Sequence, residues 1–101
     1  MFKKSVLLVS MLMMSATVFA GDGAAIYKAK GCAACHGADA KTPIMATYPR
    51  IAGQSKEYLT QQMTDIKTGK RNNGQSVVMK GIMAAVSDEE IADLAIYISG
   101  L

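Results

Sequence analysis

Cys32, Cys35 and His36 stand together in the run Cys32-Ala33-Ala34-Cys35-His36, and their spacing restricts what they can do. Two residues between the cysteines put the thiols about one helical turn apart. The residue that follows is an imidazole. C-x-x-C-H is the attachment signature of c-type haem, in which both thiols become thioethers to the porphyrin and the adjacent imidazole ligates the iron. Other chemistries fit less well. A zinc site needs four ligands, and outside the first twenty residues these three are the chain's entire stock of Cys and His, so a carboxylate would have to complete it. A thioredoxin-like dithiol needs a surrounding strand-helix-strand pattern, which is absent. A plain disulfide leaves unexplained why the only His follows the second Cys. One motif predicts one haem c, covalently held by Cys32 and Cys35, with His36 on the metal.

The iron then needs a sixth ligand or an open position. There is no second His, and the soft neutral donors outside the first twenty residues are Met45, Met63, Met79 and Met83. Met is also a common core filler. Met63 suits that role, since with Leu59 and Ile66 it makes an i, i+4, i+7 apolar stripe on a predicted helix. Met45 lies in a loop close to the attachment site and is expected on its proximal side. Met79 and Met83 remain, in a segment read as a loop tethered at both ends, where Gly81 would let the backbone approach the haem face. Spacing does not choose between these two.

Around this chemistry the chain divides into an export signal and one domain. Lys3 and Lys4 form a basic start, Val6 to Met14 an apolar run broken only by Ser10, and Val18-Phe19-Ala20 a small-x-small exit. This pattern predicts a secretory signal peptide over 1–20, cleaved after Ala20, with a periplasmic product. The rival reading, a retained membrane anchor, is weaker because the uncharged stretch, Ser5 to Gly21, is at the short limit of the roughly 17 to 25 residues needed to span a bilayer; after cleavage no stable membrane insertion is expected. The whole chain has 101 residues and a formal charge of +3, but residues 21–101 carry nine basic against eight acidic side chains. That balance gives no reason to expect a nucleic-acid partner. A domain of this size is marginal by hydrophobic burial alone, and a Cys32–Cys35 bridge would close too short a loop to help much. The missing stabiliser is expected to be the cofactor.

The elements that must position the motif read as helices. A first helix is predicted over about Gly23 to Lys30, running into the Cys32–His36 motif. A Pro-containing stretch, Ala38 to Gln54, follows. Ser55 caps a second helix over about Lys56 to Thr68, stopped by Gly69. Lys70 to Ser76 reads as an exposed loop. Ser87 with Glu90 forms a capping box for the last helix, Asp88 and Glu89 suit the positive end of its dipole, and Ile91, Leu94, Ala95 and Ile98 repeat at helical spacing. No strand pattern or internal repeat appears.

Taken in order, Cys32-Ala33-Ala34-Cys35-His36-Gly37, Tyr48-Pro49-Arg50-Ile51-Ala52-Gly53-Gln54, Met79-Lys80-Gly81-Ile82 and Ser87-Asp88-Glu89-Glu90-Ile91, with Tyr97 beyond, resemble the class I cytochromes c. They are most similar to the small c-553 type and to single halves of dihaem cytochrome c4, over essentially all of residues 21–101. The resemblance implies an all-α class I cytochrome c fold whose first and last helices cross, with Gly23 and Tyr27 near Leu94 and Tyr97. It implies Met79 as the axial thioether, eight residues before the capping Ser, and leaves Met83 to packing. It implies a proline carbonyl on the proximal imidazole, for which Pro43 is the candidate, and makes Arg50 a candidate contact for a haem propionate. The single attachment motif excludes the dihaem form.

Two protein ligands on the iron leave no substrate position, which points to electron transfer and away from enzymatic turnover. The expected function is a periplasmic one-electron carrier that docks transiently on larger redox proteins. By resemblance these are a quinol-cytochrome c oxidoreductase and a terminal oxidase or reductase. Lys41, Lys56, Lys67, Lys70, Arg71 and Lys80 are candidates for a docking rim, although with so balanced a charge most of them read as solubilising. The alternatives are a haem sensor or peroxidase-like protein with a displaceable Met, and a haem subunit of a larger complex.

Overall fold

The computed structural model describes residues 21–101, so the predicted signal segment lies outside the described residues. Five helices follow in order: α1 Gly23–Ala29, α2 Cys32–His36, α3 Lys56–Thr68, α4 Ser76–Met83 and α5 Asp88–Ser99, with no strand among the described residues. The all-α expectation holds.

Each helix start has a local cause. The Asp22 side chain accepts from the Ala25 amide and opens α1. The Ser55 side chain accepts from the Tyr58 amide and opens α3. At α5 the predicted capping box is complete: Ser87 Oγ accepts from the Glu90 amide at 3.1 Å, and Glu90 Oε1 accepts from the Ser87 amide at 3.0 Å. That second bond, with help from nearby Lys30, holds the Glu90 carboxyl below the usual carboxylate range. The motif cysteines and His36 occupy a short helix of their own, separated from α1 by Gly31, which adopts the left-handed conformation.

Helix α5 is the spine. Ile91, Leu94, Ala95 and Ile98 are buried on one face, where they meet Ile26 and Tyr27 of α1 and Leu59, Met63 and Ile66 of α3. The α1–α5 crossing is close enough that a Cβ at Gly23 would collide with the Asp93 carbonyl oxygen and with Cβ of Tyr97. The rings of Tyr27 and Tyr97 lie 5.8 Å apart at 56°, a tilted aromatic pair. The predicted crossing is present. The Tyr27 hydroxyl donates to the Gly37 carbonyl at 2.6 Å, tying α1 to the end of the motif helix, and burial pushes that hydroxyl up to about 12.

Two readings require correction. Residues 76–83 form a helix and not a loop. Met79, Ile82, Met83 and Val86 fall at i, i+3, i+4 and i+7, and this stripe is drawn inward, with Met83 and Val86 each 1% exposed. Gly81 is exposed and does not serve a close backbone approach.

Candidate functional site

A cavity of about 380 Å³ opens between α2, α3, α4 and the 47–54 loop. That is within the usual range for ligand pockets, about 300 to 1,000 Å³. Its apolar wall is built by Ile51, Leu59, Ile66, Ile82 and Ile98. Cys32, Cys35 and His36 from α2 line it, as do Met79 and Met83 from α4, Met63 from α3, and Arg50. Met45 is not in the lining and is 48% exposed. Six residues from three helices thus present two thiols, an imidazole and three thioethers to one apolar space.

The chain that follows the motif is fastened back onto it. After His36 the chain turns at Gly37, whose φ of 86° and lack of Cβ are both needed, because a Cβ there would strike the Thr42 carbonyl. Asp39 Oδ1 accepts from the Lys41 and Thr42 amides at 2.8 and 3.0 Å. The first of these bonds leads in holding its carboxyl below the ordinary range. The loop then returns: the Ile44 amide donates to the Cys35 carbonyl at 3.1 Å, and the Ala40 carbonyl accepts from Ile51 at 3.0 Å and Ala52 at 3.2 Å. The Gly53 amide donates to the Ile98 carbonyl at 3.1 Å, fastening the loop to α5.

That return path decides which proline meets the imidazole. His36 Nδ1 lies 2.9 Å from the carbonyl oxygen of Pro49. Pro43, the candidate from resemblance, sits on the outgoing limb beside the Ile44–Cys35 bond and does not line the cavity, so the assignment moves to Pro49. A carbonyl only accepts, so Nδ1 carries a proton, and in the neutral ring that tautomer puts the lone pair on Nε2. His36 is 7% exposed and lines the cavity, an imidazole fixed in the tautomer that a metal ligand needs.

Cys32 and Cys35 are both half-buried and not joined to each other. Burial pushes the Cys32 thiol up to about 11, so at neutral pH it is a protonated, weakly reactive thiol, unlike the acidic cysteine of a redox dithiol. Among the described residues no group of three or more His, Cys, Asp or Glu side chains is placed to hold a metal ion. The donor set fits a haem: two thiols one turn apart, an adjacent oriented imidazole, thioethers from other helices and an apolar wall.

Arg50 is exposed at the cavity. A second guanidinium, Arg71, is half-buried in the lining, its Nη1 donating to Gln62 Oε1 at 3.0 Å and its amide to the Asp65 carbonyl at 3.0 Å. Sequence reasoning had placed Arg71 only on a docking rim. Its place in the lining depends on the turn after α3, which has no side-chain signature.

The chain resembles several proteins of known type. It is 47% identical over 79 residues to cytochrome c4 of Pseudomonas aeruginosa, covering 77% of this chain and 37% of that protein. It is 40% identical over 81 residues to cytochrome c-554(548) of Halomonas halodenitrificans, covering 79% of this chain and 96% of that protein. The crystal structure of reduced recombinant cytochrome c4 from Pseudomonas stutzeri superposes with a TM-score of 0.71 at 31% identity, over 82% of this chain and 48% of that one. The chain therefore spans half or less of the cytochromes c4 it matches and nearly all of the Halomonas protein. A family model described as cytochrome c matches residues 20–101. The chain belongs to the cytochrome c family, which implies a covalently attached c-type haem as its cofactor.

Proposed function

We propose that this chain is exported, trimmed after Ala20, and works in the periplasm as a one-electron carrier in which Cys32 and Cys35 hold the haem and His36 and Met79 are the iron's protein ligands. The observation that carries this reading is the convergence of Cys32, Cys35 and His36 from α2 and Met79 from α4 on one apolar cavity. When bound, haem supplies a one-electron couple at iron, and His/Met ligation with burial favours a raised potential.

The chain's own residues supply the rest. Pro49 keeps the proton on His36 Nδ1 and fixes the ring. Ile51, Leu59, Ile66, Ile82 and Ile98 exclude water from the cavity. Met79 is preferred over Met83 because Met83 is 1% exposed and already engaged in the core, whereas Met79 is only partly buried. Were His36 and Met79 both to hold the iron, no ligand position would remain for a substrate, which supports outer-sphere transfer to larger redox proteins. A quinol-cytochrome c oxidoreductase and a terminal oxidase or reductase are the proposed partners, met through brief contacts. No helix among the described residues is long and apolar enough to cross a membrane.

The test is an optical spectrum of the reduced protein before and after CO. Unchanged low-spin bands and a weak iron-sulfur charge-transfer band are expected. Immediate CO binding would favour the sensor or peroxidase-like alternative. Stable co-purification with a larger assembly would favour the subunit alternative.

A further inference from the structure

Among residues that do not line the haem cavity, the backbone nitrogen of Gly21 lies 2.9 Å from Asp93 Oδ2, a contact between residues 72 apart in sequence. Gly21 is the residue that cleavage after Ala20 would make the first of the mature chain. We propose that processing turns this neutral amide contact into an ion pair, in which the new α-ammonium of Gly21 seats on Asp93 and clips the start of α1 to α5. The inference rests on the cleavage reading above.

The surroundings hold carboxylates and, among the described residues, no competing cation. A small cavity of about 260 Å³ is lined by residues 21–24 together with Asp93, Ile96 and Tyr97. Its titratable side chains are Asp22 on the α1 side and Asp93 and Tyr97 on the α5 side, with no Lys, Arg or His in the lining. Asp22 faces inward along its own helix, its Oδ1 accepting from the Ala25 amide at 3.0 Å, which leaves Asp93 as the carboxylate that reaches Gly21.

A positive charge just before a helix start is unfavourable with respect to the helix dipole, so an ammonium at Gly21 needs an acidic partner. Asp93 is half-buried and its backbone is fixed by the Gly23 crossing, where α1 touches the Asp93 carbonyl. Little freedom is therefore lost when the pair forms. Before processing Gly21 offers one N–H. Afterwards it offers three and a full charge, and charge-assisted hydrogen bonds are stronger than neutral ones.

The sign of the pH effect follows. An α-amino group has an ordinary pKa of about 7.7 to 8.0, and a carboxylate partner raises it in the folded state. The contribution is present in full below about pH 7.7 and is lost as pH rises through the higher folded value.

The experiment uses periplasmic holoprotein with two termini, the native one and one carrying two extra residues between Ala20 and Gly21, each with and without Asp93→Asn. Intact mass with one haem first establishes the start residue. Urea unfolding is then followed at pH 6.5 and pH 9.5. With the native terminus at pH 6.5, Asp93→Asn is expected to raise the unfolding equilibrium constant about two- to fivefold, the range of exposed ion pairs. With the extended terminus the effect should be smaller, and only with the native terminus should it shrink at pH 9.5. Equal effects of Asp93→Asn at both termini and both pH values would overturn the ion pair while leaving the cleavage reading intact. A mass showing a start other than Gly21 would overturn the cleavage reading and the ion pair with it.

Discussion

The carbonyl oxygen of Pro49 lies 2.9 Å from Nδ1 of His36 and fixes the proton on that nitrogen. The bond crosses from the motif helix to the returning limb of the 38–54 loop, so the orientation of the imidazole depends on a loop whose own anchors are Ala40, Ile51 and Gly53. Pro49→Gly keeps the carbonyl but frees the backbone that aims it. Faster exchange of the His36 Nδ1 proton is expected by NMR. Pro43→Ala should leave that exchange unchanged, and the reverse pattern would restore Pro43 as the partner.

The two α4 methionines should separate cleanly. Met79→Ala is expected to lower the reduction potential by on the order of a few hundred millivolts and to open the iron to CO. Met83, 1% exposed, is a core residue, so Met83→Ala should cost about 2 to 5 kcal/mol of stability while keeping the low-spin spectrum. Potentiometry with chemical denaturation reads both. Exchanged phenotypes would exchange the ligand assignment.

Attachment and folding are expected to be coupled. The 380 Å³ cavity that would hold the cofactor is bordered by Leu59, Met63, Ile66, Met83 and Ile98, which are core residues. Cys32→Ala combined with Cys35→Ala should therefore give an unfolded or degraded product, as in small domains whose metal is part of the fold. Far-UV circular dichroism and export yield are the measurements, and a compact, colourless double mutant would break the coupling.

Two glycine substitutions probe the helix contacts from opposite directions. Gly23→Ala drives a Cβ into the Asp93 carbonyl and the Tyr97 side chain, so a net loss of about 1 to 3 kcal/mol is expected. Gly81→Ala meets nothing within 4 Å and sits inside a helix, so it should gain up to about 1 kcal/mol. Thermal denaturation of the two holoproteins should shift in opposite senses.

Acid should weaken the α5 cap. The Glu90 carboxyl is held below its ordinary value by the Ser87 amide and by Lys30, 3.6 Å away. A depressed folded-state pKa means that the contribution is present above the unfolded value, near 4.5, and is lost as pH falls through the lower folded one. Glu90→Gln should flatten this part of the stability profile between about pH 5 and pH 3, measured by urea midpoints. An unchanged slope would mean that other carboxylates govern the acid limb.

Much of the architecture was legible because it is written locally. Ser87 and Glu90 announce α5, Ser55 and Gly69 bracket α3, and the C-x-x-C-H spacing marks one side of the cavity. Helix α4 was missed because Val77, Val78 and Gly81 are poor helix formers, although the stripe Met79, Ile82, Met83, Val86 carried the period that reveals it. Pro49 was missed for a different reason. Which carbonyl reaches an imidazole depends on where a loop doubles back, and here that is set by backbone bonds at Ala40, which leave no side-chain trace. Arg71 entered the lining in the same way, through the turn after α3.

Helix α4 has a consequence for how this protein comes apart. It is eight residues long, its first residue has no side-chain cap, and its outward face shows Val77 and Val78 at 61% and 65% exposure. Two turns with so little support of their own are the first to fray. On warming, the sulfur proposed to sit on the metal should let go while α1, α3 and α5 still hold, so that colour changes before the chain unravels.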